Sequence, residues 1–536
     1  MNAALARWFR RQVGLVVWLA GLGLLLLPAC RGAGLLGNPG FESDGRGESQ
    51  NLPGWNAYGG NNYTETSAAV AHSGTNYFKV YQAFNGQVNY TGVYQDYLAG
   101  PGAVYAADGW ACTTNSDKIA GQNAAWLEVT FRDASANILA LYRSLLITTN
   151  GLATGAFPVN KWVDLAVTNQ YNPVTQILTN TVRQLVAPAG TYFVRYQVVF
   201  AGDAHNSLGS VYFDDLTLSR VGGSPYGSYN IVWSDEFNGT SLNPAVWTYD
   251  TGNNNGWGNS ELENYTSRTN NALVTGGYLH VMAQKESLGS SGYSSARIKS
   301  QGLFSLQYGR LEWRAQLPPG VGFWPALWLL GTNISIKTIG WPNCGEIDVM
   351  ENNGGVLGTV QGSLHSGSDE TGYFNFLPGD SVTNFHTYTL DWTTNAILYY
   401  VDGHLYQTQT SWASSSGAYP FPFNQPFFII MNLAVGGNYL GNPSTSTINS
   451  GSTFPGIMAV DYVRLYRPTA PLLLALTRTN SAVLLTWPTN IVCHLQGQTN
   501  ATNGALGTNW TDLTQYTNSA RLAPTNRGAY YRLVSP

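Results

Sequence analysis

Charge is scarce in this 536-residue chain. Only 10% of its residues are Asp, Glu, Lys or Arg, and 26 basic side chains face 30 acidic ones for a net charge of −4. No basic patch large enough for nucleic acid is visible, so no nucleic-acid partner is expected. Cysteine is nearly absent. Of four residues, Cys112, Cys344 and Cys493 lie beyond the N-terminal leader, far apart and odd in number. That excludes a disulfide framework and offers no metal-ligand spacing, so the three read as free, half-buried thiols. Helical periodicity of useful length is missing too, and outside the leader no apolar run could span a bilayer.

Aromatic residues and glycine are abundant instead: 17 Trp, 32 Tyr and 60 Gly. With little Lys or Glu this composition points to an all-β, extracellular protein. Flat aromatic faces also suit sugar rings, although most of these rings must serve ordinary sheet packing. Short alternating runs such as Thr191–Phe200, Tyr278–Ala283 and Ala396–Val401 read as strands, separated by Gly, Asn and Pro clusters.

The length calls for two to four domains. Arg7, Arg10 and Arg11 precede an apolar run from Val13 to Leu27 and then Pro28-Ala29-Cys30. This is the pattern of an export signal, so a secreted or outer-cell-surface protein, monomeric, is expected. Leu27-Pro28-Ala29-Cys30 also loosely matches a lipoprotein signal, giving a lipid anchor through Cys30 as a second reading and an uncleaved membrane anchor as a third. A Gly/Ser/Pro stretch from Gly222 to Ser228 and a Pro-punctuated one from Arg467 to Pro471 read as boundaries. The expected units are a leader (1–30), a first β module (35–222), a central domain (229–467) and a small C-terminal β-sandwich (472–536).

The chemistry concentrates in Glu346-Ile347-Asp348-Val349-Met350-Glu351. In a strand, Glu346 and Asp348 share a face while Glu351 points to the other. One extra residue, a β-bulge placed at Met350, returns Glu351 to the first face. Three like charges would then crowd one cleft and raise one another's pKa. Glycosidic hydrolysis needs such a set: one ionised carboxylate to attack and one protonated carboxyl to donate. Three solvated acids on an edge strand are the bland alternative.

Residues 229–467 resemble glycoside hydrolase family 16, most closely its bacterial endo-1,3-β-glucanases (laminarinases). The resemblance runs through Trp233-Ser234-Asp235-Glu236-Phe237, Gly258-Asn259-Ser260-Glu261-Leu262-Glu263, Gly322-Phe323-Trp324-Pro325-Ala326-Leu327-Trp328, Trp341-Pro342-Asn343-Cys344-Gly345 and Val460-Asp461-Tyr462. It implies a concanavalin A-like jelly roll with a sugar cleft and a retaining mechanism. Glu346 would be the nucleophile, Glu351 the general acid/base and Asp348 their assistant. Trp324, Trp328 and Trp341 would stack on glucosyl rings. Asn259, Glu261 and Arg297 would bind sugar hydroxyls, and His365 would approach the leaving-group sugar. No catalytic cofactor is implied. A structural calcium on Glu236, the Gly277 carbonyl and Asp461 is. Lichenases lack the extra residue, which argues against that subgroup, and sulfated galactans would want a more basic cleft. A laminarin-like β-glucan is therefore the expected partner, with mixed-linkage glucan second. Agarose, carrageenan or non-catalytic glucan binding are the alternatives.

The first module opens with Asn38-Pro39-Gly40-Phe41-Glu42 and closes with Val211-Tyr212-Phe213-Asp214-Asp215. It resembles jelly-roll carbohydrate-binding modules, in which Glu42 and Asp215 would hold a second structural calcium. Trp55, Tyr58, Tyr63, Tyr94 and Trp110 are its candidate sugar platforms.

Overall fold

The computed structural model describes residues 34–43, 52–149 and 157–468 (without 173–174, 176, 183, 228 and 337), and beyond them 475–478, 483–486, 494–499, 510–513, 519–522 and 529–534. The leader with Cys30, Cys493 and Trp487 lie outside the described residues. Among those described, the chain is all β apart from the helix Thr445–Gly451 and three short 3-10 turns. None of the described helices is long and apolar enough to cross a membrane.

The first module is a sandwich closed by alternation. Along Phe193–Gly202, Val194, Tyr196, Val198 and Phe200 enter the core. Arg195, Gln197 and Val199 face the other way and line a groove. The neighbouring strands Asn89–Leu98 and Ala124–Arg132 pair with it antiparallel on both sides and follow the same rule. Opposite them a six-stranded sheet holds Val104–Cys112 and Val211–Gly222.

In the central domain a seven-stranded sheet runs in the spatial order Thr248–Asp250, Arg297–Lys299, Phe427–Val435, Phe323–Gly331, Glu346–Glu351, Thr359–His365, Asp369–Asn375. Its inner face packs on a second sheet through Phe323, Leu327, Leu329, Ile429, Met431 and Leu433. Its outer face carries Trp324, Trp328 and Asn432 into a cleft. Gly345 opens the acid strand at φ +81, and a Cβ there would lie 2.7 Å from Phe427 Cζ, so only glycine fits. The C-terminal part contributes two three-stranded sheets.

The stretch expected as a linker is docked. Tyr226 stacks on Tyr466 with centroids 4.7 Å apart and donates its hydroxyl to Glu312 at 2.9 Å. Tyr229 lies against Arg310, which is fully buried and bidentate to Asp391 at 2.8 Å on both arms. Leu98 and Phe193 of the first module share an apolar cluster with Leu398, Tyr400 and Leu405 of the central domain. Leu98 N–H donates to Gly403 O at 2.7 Å, and His404 pairs with Tyr97 across the junction. Burial of this kind joins two sandwiches as neighbours rather than as beads on a tether.

Candidate active site

The acid strand is bulged. Against Phe323–Gly331, Leu327 pairs with Met350 and Trp328 with Asp348, so Val349 is the unmatched residue on that side. Against Thr359–His365, Asp348 pairs with Ser363 and Glu351 with Gln361, leaving Val349 and Met350 together opposite Gly362. The extra residue is thus shared between Val349 and Met350 rather than being Met350 alone. Ile347, Val349 and Met350 all point into the core. Glu346, Asp348 and Glu351 all line one cleft of about 830 Å³.

Each acid has its own partners. Glu351 accepts from Trp324 Nε1 at 3.0 Å and from Gln361 Nε2 at 3.1 Å. Glu346 accepts from Trp341 Nε1 at 3.1 Å. Asp348 forms an ion pair with His365 Nε2 at 3.1 Å, and Glu346 lies 4.0 Å from the same nitrogen. Burial pushes all three carboxyls upward, and Asp348 adds to the rise at Glu346 and Glu351. Glu351 reaches about 8. The opposing influence is His365: burial works to lower its own pKa, yet Asp348, Glu346 and Asp369 hold it at about 10, as an imidazolium. Its charge favours ionisation of Asp348 and Glu346, and Arg297 adds to the effect at Glu346. The imidazolium charge also favours ionisation of Glu351, and burial raises Glu346 strongly, so the three acids titrate as one coupled set in which they cannot all be ionised together. Oxygens of Glu346 and Asp348 and a nitrogen of His365 lie within 4.8 Å of one another. In the structure the three meet as an ion-pair network through His365 Nε2.

Every residue expected at the site lines the cleft: Asn259, Glu261, Arg297, Trp324, Trp328, Trp341 and His365 join the three acids. Their postures differ from a simple sugar-binding list. Trp341 is 57% exposed and projects as a free face. Trp328 Nε1 donates to Asn432 Oδ1 at 2.8 Å, which fixes its ring. Arg297 lies 4.7 Å from the Trp328 ring centroid and 5.0 Å from that of Trp257, and pairs with Asp250 at 3.1 Å. Glu261 is buried and accepts from Tyr265 hydroxyl at 2.8 Å, which makes it part of the floor. Trp257, Gln361, Asp369, Asn432 and Tyr439 also line the cleft and were not anticipated. Gln361 could have been found by counting back in twos from His365. Tyr439 stacks on Trp324 at 4.8 Å, a contact that no spacing announces.

Comparison with known proteins places this geometry. Residues 260–453 match the family description "Glycosyl hydrolases family 16". The chain is 38% identical over 260 residues to a beta-glucanase of Rhodothermus marinus, covering 45% of this chain and 85% of that protein. The chain belongs to glycosyl hydrolase family 16. It is also 38% identical over 279 residues to glucan endo-1,3-beta-glucosidase A1 of Niallia circulans, covering 47% of this chain but only 40% of that larger protein. Among solved structures, the laminarinase from Rhodothermus marinus is 39% identical, spans 45% of this chain and 97% of its own, and has a TM-score of 0.40.

Neither calcium set in this family 16 chain fits a hard dication as it stands. Both oxygens of Glu236 accept from Arg464, at 2.9 and 2.8 Å, and Asp461 pairs with Arg314 at 2.5 Å. Gly277 lies in its turn with φ +83. In the first module Glu42 accepts from the Thr75 and Asn76 amides, both at 2.8 Å, and Asp215 binds His72 Nδ1 at 2.6 Å and Ser73 Oγ at 2.8 Å. Calcium needs six to eight oxygen ligands, whereas these carboxylates already face donors.

The first module has a groove of its own, about 330 Å³, lined by Tyr58, Tyr90, Tyr94, Trp126, Glu128, Arg143, Arg195 and Gln197. Of the five expected platforms only Tyr58 and Tyr94 are there. Trp55 is buried, stacked on Phe41 at 5.4 Å; Trp110 stacks on His72 at 4.0 Å; Tyr63 stacks on Tyr81 at 5.8 Å. The groove floor is a cross-strand row. Tyr94 pairs with Gln197, Gln197 with Glu128, and Glu128 with Arg143. Arg143 and Arg195 each answer a buried acid, Glu128 and Asp96, both at 2.7 Å.

Proposed function

We propose that this chain is a secreted, retaining endo-β-glucanase that hydrolyses internal β-1,3-glucosidic bonds of laminarin-like glucans. The observation that carries the reading is the three carboxyls that the bulge brings onto one face of the cleft. A carboxyl held at about 8 (Glu351) shares one face with two acids that have an imidazolium beside them. Glu346 attacks the anomeric carbon while Glu351 protonates the departing oxygen. A glycosyl ester forms on Glu346. Glu351, now a carboxylate, takes a proton from water, which attacks the anomeric carbon and releases Glu346. Asp348 shares charge with Glu346 and eases its ionisation. Trp324, Trp328 and Trp341 supply the aromatic faces for the rings on either side.

Substrate choice rests on the bulge, on the scarcity of basic residues and on the names of the relatives. Two of these are called beta-glucanase and glucan endo-1,3-beta-glucosidase. The N-terminal groove, with its aromatic walls and its floor of amide and guanidinium groups, serves as a second glycan contact in this reading. The leader through Cys30 supports export. The experiment is a reducing-end assay on laminarin, lichenan, agarose and carrageenan, with wild type, Glu346→Gln and Glu351→Gln. The proposal expects laminarin cleavage by wild type alone. Cleavage of agarose alone would overturn the substrate, and full activity in either variant would overturn the roles.

A further inference from the structure

Asp369 has no part in the mechanism above, yet it lines the cleft and its side chain is 67% exposed. It begins the Asp369–Asn375 strand, and register pairs it with His365, which is itself paired with Glu346. The three thus form one cross-strand row on the cleft face. Asp369 Oδ1 lies 2.7 Å from His365 Nδ1, while the other ring nitrogen lies 3.1 Å from Asp348 and 4.0 Å from Glu346. An imidazole anchored at Nδ1 has only one orientation for its Nε2–H, and here that direction leads to the acid pair.

We infer that Asp369 is a positioning residue: it fixes the His365 ring so that the imidazolium charge stays beside Asp348 and Glu346. This rests on the proposed roles of Glu346 and Glu351 and adds a group that sets when Glu346 becomes ionised. Among the described residues, Asp369 is the acid that meets Nδ1. From the acid strand come Glu346 and Asp348, with Glu351 further along; from the hairpin strand comes Asp369; across the sheet Arg297 acts on Glu346. Trp341 flanks the ring at 6.0 Å and contributes no charge. Arg297 repels an imidazolium, so the acids alone hold it. Asp369 holds the ring from its Nδ1 side and is open to solvent, while its own charge acts only as an added push on Asp348.

Asp369 favours the charged imidazole, and the charged imidazole favours ionised Glu346. Loss of Asp369 frees the ring, which stays charged on the acidic limb but is no longer held beside Glu346, so Glu346 holds its proton to higher pH. The test is the kcat/KM–pH profile on laminarin for wild type, Asp369→Ala, Asp369→Asn and Asp369→Glu. The acidic limb should move up by about one pH unit in the Ala variant. It should move less in the Asn variant, which can still accept from Nδ1, and should return towards wild type in the Glu variant. A limb that stays in place in Asp369→Ala overturns the inference. His365 should also be titrated by NMR in the ligand-free proteins, where no turnover is required. Its pKa should fall in Asp369→Ala, and an unchanged His365 titration overturns the inference even if no glucan is cleaved by wild type. That pair of readouts separates failure of Asp369 from failure of the glucanase reading.

Discussion

The molecule carries two clefts built on the same kind of surface, the outer face of a twisted antiparallel sheet, and they treat charge in opposite ways. Along the first module's groove the buried acids Glu128 and Asp96 each have an arginine, Arg143 and Arg195. In the central domain three acids share a face, and the nearest balancing charge is a single histidine. Opposite charges paired across strands neutralise one another, and such a floor can bind without reacting. Buried like charges cannot all ionise, so a proton is retained where the chemistry needs one. The same architecture thus yields a surface that holds and a surface that cuts.

The contrast breaks most visibly at the acids. Glu351→Gln should cut kcat on laminarin by about 10²–10⁴-fold, because the proton donor is gone while the fold keeps its Trp324 contact. A comparable loss of turnover from Tyr94→Ala in the first groove would erase the distinction between the two clefts. The junction between the modules comes next. Leu398 is fully buried in the shared apolar cluster, so Leu398→Ala should cost about 2–5 kcal/mol, read as a lower thermal midpoint. If the midpoint holds, the docking of the two sandwiches contributes little. In the first groove, Tyr94→Ala should weaken binding to insoluble glucan roughly 30-fold, about 2 kcal/mol, with hydrolysis of soluble oligosaccharides unchanged. Tyr90, 56% exposed at the rim, gives a gentler variant for the same pull-down.

The smallest effect concerns pH and sharpens the contrast further. Glu351 must be protonated to act as acid, and its pKa is raised to about 8, so kcat/KM should fall as pH rises through about 8. Below that limb the acid form is filled and activity is limited by ionisation of Glu346. Binding at the first groove, whose lining has one carboxylate rather than a cluster of them, should stay flat over the same interval. Affinity electrophoresis across pH 6–9 separates the two behaviours.

Much of this was legible in the chain, and the reasons are specific. The bulge followed from period-two geometry, because three acids at positions 346, 348 and 351 share a face only with one extra residue. Its division between Val349 and Met350 did not follow, since register is set by both neighbouring strands. The all-β class came from alternation such as Val194, Tyr196, Val198 and Phe200. Trp55 illustrates the opposite case: an isolated tryptophan beside Gly54 carries no sign of whether it faces sugar or core. The docked Tyr226 was hidden in a Gly/Ser/Pro stretch whose composition reads as a linker. Asp369 was invisible because its role depends on a hairpin register that places it next to His365. Arg464 and Arg314 were similarly unseen partners, and they occupy the carboxylates expected to hold calcium.

The central claim is that Glu346 forms a covalent bond to the sugar while Glu351 manages the proton. It is tested most directly by trapping the intermediate with a 2-deoxy-2-fluoro laminarioligosaccharide bearing a good leaving group, followed by peptide mass spectrometry. The account predicts one added glycosyl unit, located on Glu346 and absent in Glu346→Gln. An adduct on Asp348 or Glu351, or rapid laminarin cleavage that inverts the anomeric centre, would contradict it.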